Sequence, residues 1–175
     1  MKTFVLVLIG LVSSNMTMGQ ESNFQNDFAG TLQYNVSQIQ SLAEAIPEDK
    51  YDWRPSDGVR SVREAILHVV GANYFFGMMM GAAPPEGIDP MSLEQTIKGK
   101  ENVLNELKNS VKYISDAGKG VSNESLEDMV DFPDGNQYSR RMVMMIAISH
   151  SGEHKGQLIA YARMNQITPP WSQQQ

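Results

Sequence analysis

Apolar residues recur every three or four positions in four separate stretches of the chain. This is the spacing of helices that bury one face against a common core. The stretches cover residues 23–46, 62–80, 92–118 and 139–165. None of them alternates apolar and polar residues as a half-buried strand would, so no strand is expected. The pattern predicts an all-α fold, an antiparallel, up-down-up-down-like four-helix bundle with long connecting loops.

Local signals mark where the predicted helices begin and end. A serine followed three residues later by Glu or Gln forms a capping box, and this pattern precedes the first three helices at Ser22, Ser61 and Ser92. Pro47 ends the first helix, because proline keeps the preceding residue out of the α conformation. Residues 121–137 are acidic and rich in turn formers, and we expect only a short helix and a turn there.

The N-terminal stretch has the character of a secretory signal peptide. Lys2 supplies its positive end, and residues 4–12 form a short apolar run that a Thr-Met-Gly sequence follows. The run is much shorter than the roughly 20 apolar residues that span a bilayer. We therefore expect a cleaved signal at residues 1–19 and an exported (periplasmic or secreted) domain at residues 20–175, with no stable membrane span after cleavage.

Composition narrows the range of functions. The chain of 175 residues carries a formal net charge of -6, and no basic patch that would follow a phosphate backbone is visible, so no nucleic-acid partner is expected. There is no cysteine, which excludes disulfides, thiolate ligands and a lipid-bearing cysteine. Stability must come from the core of a single domain.

The three histidines of the chain are placed as a metal site would require. His150 and His154 are four residues apart and share one face of the last predicted helix, and His68 borders the buried face of the second. Hydrogen-bonded core histidines are the alternative, but several buried imidazoles without a charge partner are costly. We therefore predict a divalent metal bound by His68, His150 and His154, zinc or nickel first and iron or copper as alternatives.

Two other residues are candidates for a catalytic role. Glu64 lies one turn before His68 and could orient that imidazole or act as a base, although a capping box already accounts for it. Tyr161 lies on the inward face of the last helix. Pocket lining or plain hydrogen bonding between helices is expected for three further polar residues: Asn35, Asn73 and Gln157.

Methionines cluster at residues 78–80 and at residues 142–145. Thioether sulfur selects Cu(I), so copper handling stays open as an alternative. Methionine also fills irregular cores, which explains the clusters without any metal.

Four motifs occur in a specific order and spacing: YDWRP at 51–55, SVREAILH at 61–68, HSGEHKGQL at 150–158 and ITPP at 167–170. In this order and spacing the chain resembles the DinB-like superfamily from about residue 28 to residue 170. The resemblance implies a four-helix bundle, often a homodimer, with a three-histidine divalent metal site at the same three histidines. It also implies either a metal-dependent hydrolase or a transferase or isomerase that uses a low-molecular-weight thiol.

Two classes of function follow as hypotheses. The first is an exported metalloenzyme, a metal-dependent hydrolase or thiol-dependent transferase acting on a small molecule that the sequence does not identify. The second is a non-enzymatic metal-binding module for copper or zinc, or a bundle that has lost activity and serves as an interaction scaffold. A closed fourth coordination position, or methionine sulfur on the metal, would favour the binding module.

Overall fold

The structure, a computed structural model, describes residues 23–83 and 85–172. The predicted signal peptide at residues 1–19 lies outside these residues. The described chain forms five α-helices and one small antiparallel hairpin. The elements, in chain order, are α1 (Phe24–Ala45), α2 (Val62–Met79), α3 (Leu93–Thr96), α4 (Lys100–Gly120), β1 (Met129–Asp131), β2 (Gln137–Ser139) and α5 (Arg140–Met164), with single 3₁₀ turns at Glu48–Lys50, Glu124–Glu127 and Pro170–Ser172.

The four long helices form the predicted bundle, so the all-α class and the four-helix architecture are confirmed. Each of α1 and α2 packs against both α4 and α5. Arg63 at the start of α2 donates to the carbonyl of Ile97 just before α4, and Asn73 further along α2 donates to Ser110 of α4. These two neighbours therefore run parallel, as do α1 and α5. The helix directions are up, down, down, up, in place of the up-down-up-down-like alternation expected from the sequence.

The connection between α2 and α4 explains this order. Two parallel neighbours need a connection that returns along the full length of the first helix. A helix of 18 residues is about 27 Å long, and an extended chain covers about 3.3 Å per residue. Residues 80–99 are long enough to make that return, and we call this segment the crossover. It contains α3 and runs back along α2.

Two predicted boundaries change in the third helical stretch. The periodic pattern predicted one helix from Ser92 onward, whereas the chain forms α3, a break, and then α4. Gly99 lies in the break with φ +79°, a left-handed conformation that glycine adopts without strain. Ser92 makes no side-chain cap to α3, so the capping box predicted there is not formed.

Two further details differ from the sequence expectations. Residues 129–131 and 137–139 pair as a hairpin, although no strand was expected, because three-residue strands are too short to show alternation. The predicted turn lies between these strands. Ser22, where a capping box was predicted, lies outside the described residues; the first helix is capped by Asn23, and the side chain of Gln25 donates to the carbonyl of Val121.

The apolar core consists of two clusters along the bundle axis. One contains Val69 and Leu158, and the other contains Phe76 and Ala147. Met80 and Met144 are buried in the second cluster, in line with a packing role for them. On α5 both histidines lie between the residues of one cluster and those of the other, whereas His68 on α2 lies within the first cluster, between Leu67 and Val69. No helix in the described part of the chain has the length and apolar content needed to cross a bilayer.

Candidate metal centre

The antiparallel packing of α2 and α5 brings the three predicted ligands together. His150 Nε2 lies 3.2 Å from His68 Nε2 and 3.1 Å from His154 Nε2. Two nitrogens bound tetrahedrally to zinc at 2.0–2.1 Å are about 3.3 Å apart. The ligand atoms of all three residues lie within 4.8 Å of one another, and together they could hold a metal ion.

Hydrogen bonds behind two of the rings orient them toward the centre of this group. Glu94 Oε1 lies 3.2 Å from His68 Nδ1, and Gln157 Oε1 lies 2.8 Å from His154 Nδ1. Because a carboxylate or amide oxygen accepts, the proton of each ring belongs on Nδ1 and the lone pair on Nε2 faces the other histidines. A partner of this kind commonly stands behind a metal-binding histidine. The donor set therefore fits a divalent ion.

A chain of hydrogen bonds holds the orienting amide in place. Gln157 Nε2 donates to Tyr161 Oη at 2.8 Å, and the Tyr161 hydroxyl donates to the carbonyl of Arg60 at 3.0 Å. The amide nitrogen is thereby directed away from His154, which leaves its oxygen to accept from the imidazole. The ring of Tyr161 packs edge-on against Trp53, with the ring centroids 5.5 Å apart.

Electrostatics favours the neutral imidazoles that metals bind. The pKa of His150 is lowered to about 3, first by burial and then by the neighbouring His154, His68 and Arg60. The pKa of His68 is also lowered, first by burial and then by Arg60 and His154, while Glu94 opposes the shift. At neutral pH both rings are unprotonated, so a metal ion does not have to displace a proton from either.

A cavity of about 320 Å³ opens beside the histidines. Its polar lining groups are Arg60, Glu94, His68 and His150. The rest of the lining is mostly apolar: Gly71, Ala72, Phe75, Phe76, Pro90, Met91 and Pro133. Larger grooves of about 540 and 670 Å³ lie against α4 and have no histidine in their lining. The cavity at the histidines combines ligand groups with apolar walls, as small-molecule sites do.

The other sequence candidates occupy different places. The Glu64 carboxylate accepts from the backbone N–H of Ser61 at 2.8 Å and pairs with Arg54, so the predicted capping box is formed. The carboxylate that reaches His68 is that of Glu94. Asn35 and Asn73 form hydrogen bonds between helices, which is the second of the two roles expected for them. Gln157 and Tyr161 instead take part in the hydrogen bonds behind His154.

Sequence reasoning missed Glu94 and Arg60. Glu94 lies inside the capping-box sequence predicted at Ser92, and Arg60 directly precedes the one predicted at Ser61. Nothing in the local pattern distinguishes them, because Glu94 reaches the site through the path of the crossover and Arg60, just before α2, is held there by its contact with Glu94. Arg60 Nε lies 3.1 and 3.0 Å from the two carboxylate oxygens of Glu94, and that same carboxylate contacts His68.

The fold and the histidine arrangement can now be compared with known proteins. The family model of the DinB superfamily matches residues 31–158. The chain belongs to the DinB superfamily. Among curated proteins it is similar to the uncharacterized protein YjoA of Bacillus subtilis (strain 168), with 26% identity over 139 residues, which are 76% of this chain and 86% of YjoA.

Solved structures share the fold. The crystal structure of the DinB-like protein YjoA from Bacillus subtilis has a TM-score of 0.65 at 24% identity, covering 82% of this chain and 94% of YjoA. A DinB-like protein from Bacillus cereus has a TM-score of 0.70 at 16% identity, with 82% and 93% covered. YfiT from Bacillus subtilis, described as a probable metal-dependent hydrolase with an unusual four-helix bundle topology, has a TM-score of 0.64 at 12% identity, with 82% and 89% covered.

Proposed function

We propose that this DinB protein binds one divalent metal ion through His68, His150 and His154 and uses it to act on a small molecule. The observation that carries the proposal is the separation of the three Nε2 atoms, 3.1 and 3.2 Å for the two contacts of His150. Without an ion, the Nε2 lone pairs of His68 and His154 would both face His150 Nε2 at these distances, and that nitrogen carries at most one proton to share between them. Zinc or nickel is the proposed metal, with iron and copper as the alternatives.

The proposed reaction class is metal-dependent hydrolysis or thiol-dependent transfer. Three protein ligands leave a coordination position for water or substrate. In the described part of the chain, the group with ligand spacing contains three histidines and no carboxylate. A bound divalent ion would lower the pKa of a water or polarise a substrate oxygen or sulfur. The cavity beside the histidines gives a small substrate access to that position.

Metal analysis of protein purified without an affinity tag tests the proposal. We expect one zinc or nickel ion per chain and a rise in melting temperature when metal is added to metal-free protein, because a ligand that binds only the folded state stabilises it. Protein with less than stoichiometric metal and an unchanged melting temperature would contradict it. Histidines replaced singly by alanine provide the matched controls.

A non-enzymatic copper or zinc module is the second candidate. Met91 lies in the lining of the cavity and is exposed, so one thioether is available to a soft metal near the histidines. Binding of Cu(I) in preference to zinc, with a methionine sulfur in its coordination shell, would favour this candidate. X-ray absorption at the metal edge measures the ligand atoms directly. An inactive scaffold is the remaining alternative, and for it His68→Ala should leave every phenotype unchanged.

We also propose that the mature domain, residues 20–175, is exported after removal of residues 1–19. The support is the sequence of the N-terminal stretch, with its positive end and short apolar run. Mass spectrometry of protein recovered outside the cytoplasm should give a chain that begins at or near Gln20. A full-length chain retained in the cytoplasm would contradict export.

A homodimer is proposed from the family resemblance alone. Sedimentation of the purified mature chain should give about twice the mass of one chain. Sedimentation at the monomer mass across the accessible concentration range would remove this proposal.

A further inference from the structure

Arg60 lines the cavity beside the histidines, and only part of its guanidinium is hydrogen-bonded. Its Nε is bonded to Glu94, and no other hydrogen bond of its side chain involves a residue in the described ranges. The side chain is 43% exposed and lines the cavity together with His68 and His150. The two Nη groups are thus available as a pair of parallel donors, a geometry that matches a planar carboxylate.

The charge balance of the cavity also favours an anion. Arg60 and Glu94 are its only charged lining residues and their charges cancel, while histidines that bind a metal are neutral and add none. A divalent ion on the histidines would therefore leave the cavity with an excess of two positive charges. A bound cation is the largest local charge in such a site and attracts anionic groups.

The apolar walls of the cavity indicate the chemistry of the ligand beyond its anionic group. Beyond the polar end, Phe75, Phe76, Pro90 and Pro133 provide aromatic and aliphatic surface. Phe75 packs edge-on against both Phe76 and Phe132, which fixes the orientation of its ring. A cavity of about 320 Å³ lies at the lower end of the range typical of small-molecule sites.

We propose that the ligand of this cavity is a small carboxylic acid with an apolar or aromatic body, whose carboxylate is held by the Nη groups of Arg60. This inference deepens the proposed function and rests on it for the identity of the site. Glu94 then has two roles: it orients His68 and it holds the Arg60 side chain at the cavity entrance.

The test uses the mature protein in zinc-loaded and metal-free form, with zinc content measured on the same samples. The probes are 3-phenylpropanoate, its neutral analogue 3-phenylpropanamide, and acetate, which lacks the apolar body. Calorimetry gives the dissociation constant of each. We expect 3-phenylpropanoate to bind about tenfold or more tightly than either comparison compound, because the amide loses a charged hydrogen-bonding partner and acetate loses the burial of the apolar body.

Arginine variants separate recognition by Arg60 from direct binding of the acid to zinc. Arg60→Gln should raise the dissociation constant of 3-phenylpropanoate about tenfold, and Arg60→Lys by less. Arg141→Gln is the matched control, because Arg141 is 40% exposed and its Nε is likewise paired with a glutamate, Glu127. That control should bind the acid as the wild type does.

The double variant Arg60→Gln/Glu94→Gln removes the unpaired carboxylate that the single variant would leave. It should remain as weak as Arg60→Gln; recovery of wild-type affinity would overturn a role for Arg60. Equal affinity for acid and amide, or no binding of the acid to either form of the protein, would also overturn the ligand class. Arg60-dependent binding of the acid to either form supports the ligand class even if zinc content is zero, in which case only the proposed metal function fails.

Discussion

His150 and His154 lie one turn apart on α5, and His154 is oriented by Gln157, three residues further along the same helix. His68 is the single histidine of α2, and the group that orients it is Glu94, 26 residues away in the crossover. The α5 side of the centre is therefore built from local spacing on one helix. The α2 side depends on how the crossover packs. Substitutions elsewhere in the fold can therefore disturb this side.

Replacing a ligand should have the largest effect, on either side of the centre. His68→Ala, His150→Ala or His154→Ala should each abolish stoichiometric metal binding, a loss greater than the roughly 10–100-fold typical of a residue behind a ligand. Glu64→Ala is the control, since its carboxylate caps α2 and pairs with Arg54. It should cost about 1 kcal/mol of stability and leave metal affinity unchanged. Equal loss of metal in Glu64→Ala would mean that Glu64 is a ligand.

Removing the orienting carboxylate tests the α2 side without touching a ligand. Glu94→Ala should weaken metal binding by about 10–100-fold, because His68 loses the acceptor that fixes its tautomer. Gln157→Ala, the corresponding change on α5, should weaken binding less, since a neutral amide is lost and the helix still holds His154 in place. Competition with a chromophoric chelator measures both affinities. A larger effect of Gln157→Ala would reverse the comparison of the two sides.

A glycine in α2 allows the crossover to approach. A Cβ added to Gly71 would lie 2.7 Å from the carbonyl oxygen of Pro90, and this neighbour is backbone and cannot rotate away. Gly71→Ala should therefore displace the crossover and Glu94 with it, costing about 1–3 kcal/mol of stability and weakening metal binding by less than Glu94→Ala does.

Gly30 of α1 gives a matched control for that substitution. An added Cβ there meets nothing within 4 Å, and the residue lies within a regular helix. Gly30→Ala should stabilise the protein by about 0.5–1 kcal/mol through helix propensity alone. Chemical denaturation curves of the two variants, with and without zinc, separate the clash from this general effect. Stabilisation by Gly71→Ala would show that the crossover yields easily.

The smallest expected effect is a pH dependence of the metal-free protein. The folded pKa of His150, about 3, is below its ordinary value of 6.5. As the pH falls from 6.5 toward 3, the unfolded chain takes up a proton that the folded chain does not. The contribution of neutral His150 to stability is therefore fully present above pH 6.5 and is lost progressively over this window. One group contributes at most about 1.4 kcal/mol per pH unit, and solvent screening at this half-buried site reduces that value.

A variant without this titration checks the assignment. His150→Gln should show a shallower loss of stability between pH 6.5 and 4 than the wild type, with zinc absent from both. Parallel curves for the two proteins would show that His150 does not carry the dependence. Bound zinc should raise the wild-type curve without flattening it over the upper part of the window, since the unfolded chain still takes up the proton and the metal keeps it off the folded nitrogen.

Much of the bundle and half of the site followed from local sequence. Periodicity gave the four long helices, because a helix that buries one face must repeat its apolar residues every three or four positions. The capping box at Ser61 and the spacing of His150 and His154 are equally local, and the structure shows both arrangements. The break before α4 and the hairpin were not predicted, because one left-handed glycine and strands of three residues leave almost no periodic signal in the sequence.

The sequence alone was sufficient to predict the three histidines as metal ligands, because the chain has only three and each lies on or beside the inward face of a predicted helix. Tertiary structure alone decided the parallel pairing of α2 with α4, and with it the return of the crossover along α2. That path brings Glu94 to His68 and to Arg60, which directly precedes the cap of α2, from a position with no distinctive pattern. The physical reason is that helix formation is set by neighbours within one turn, whereas the direction of a connection is set by the packing of surfaces far apart in sequence.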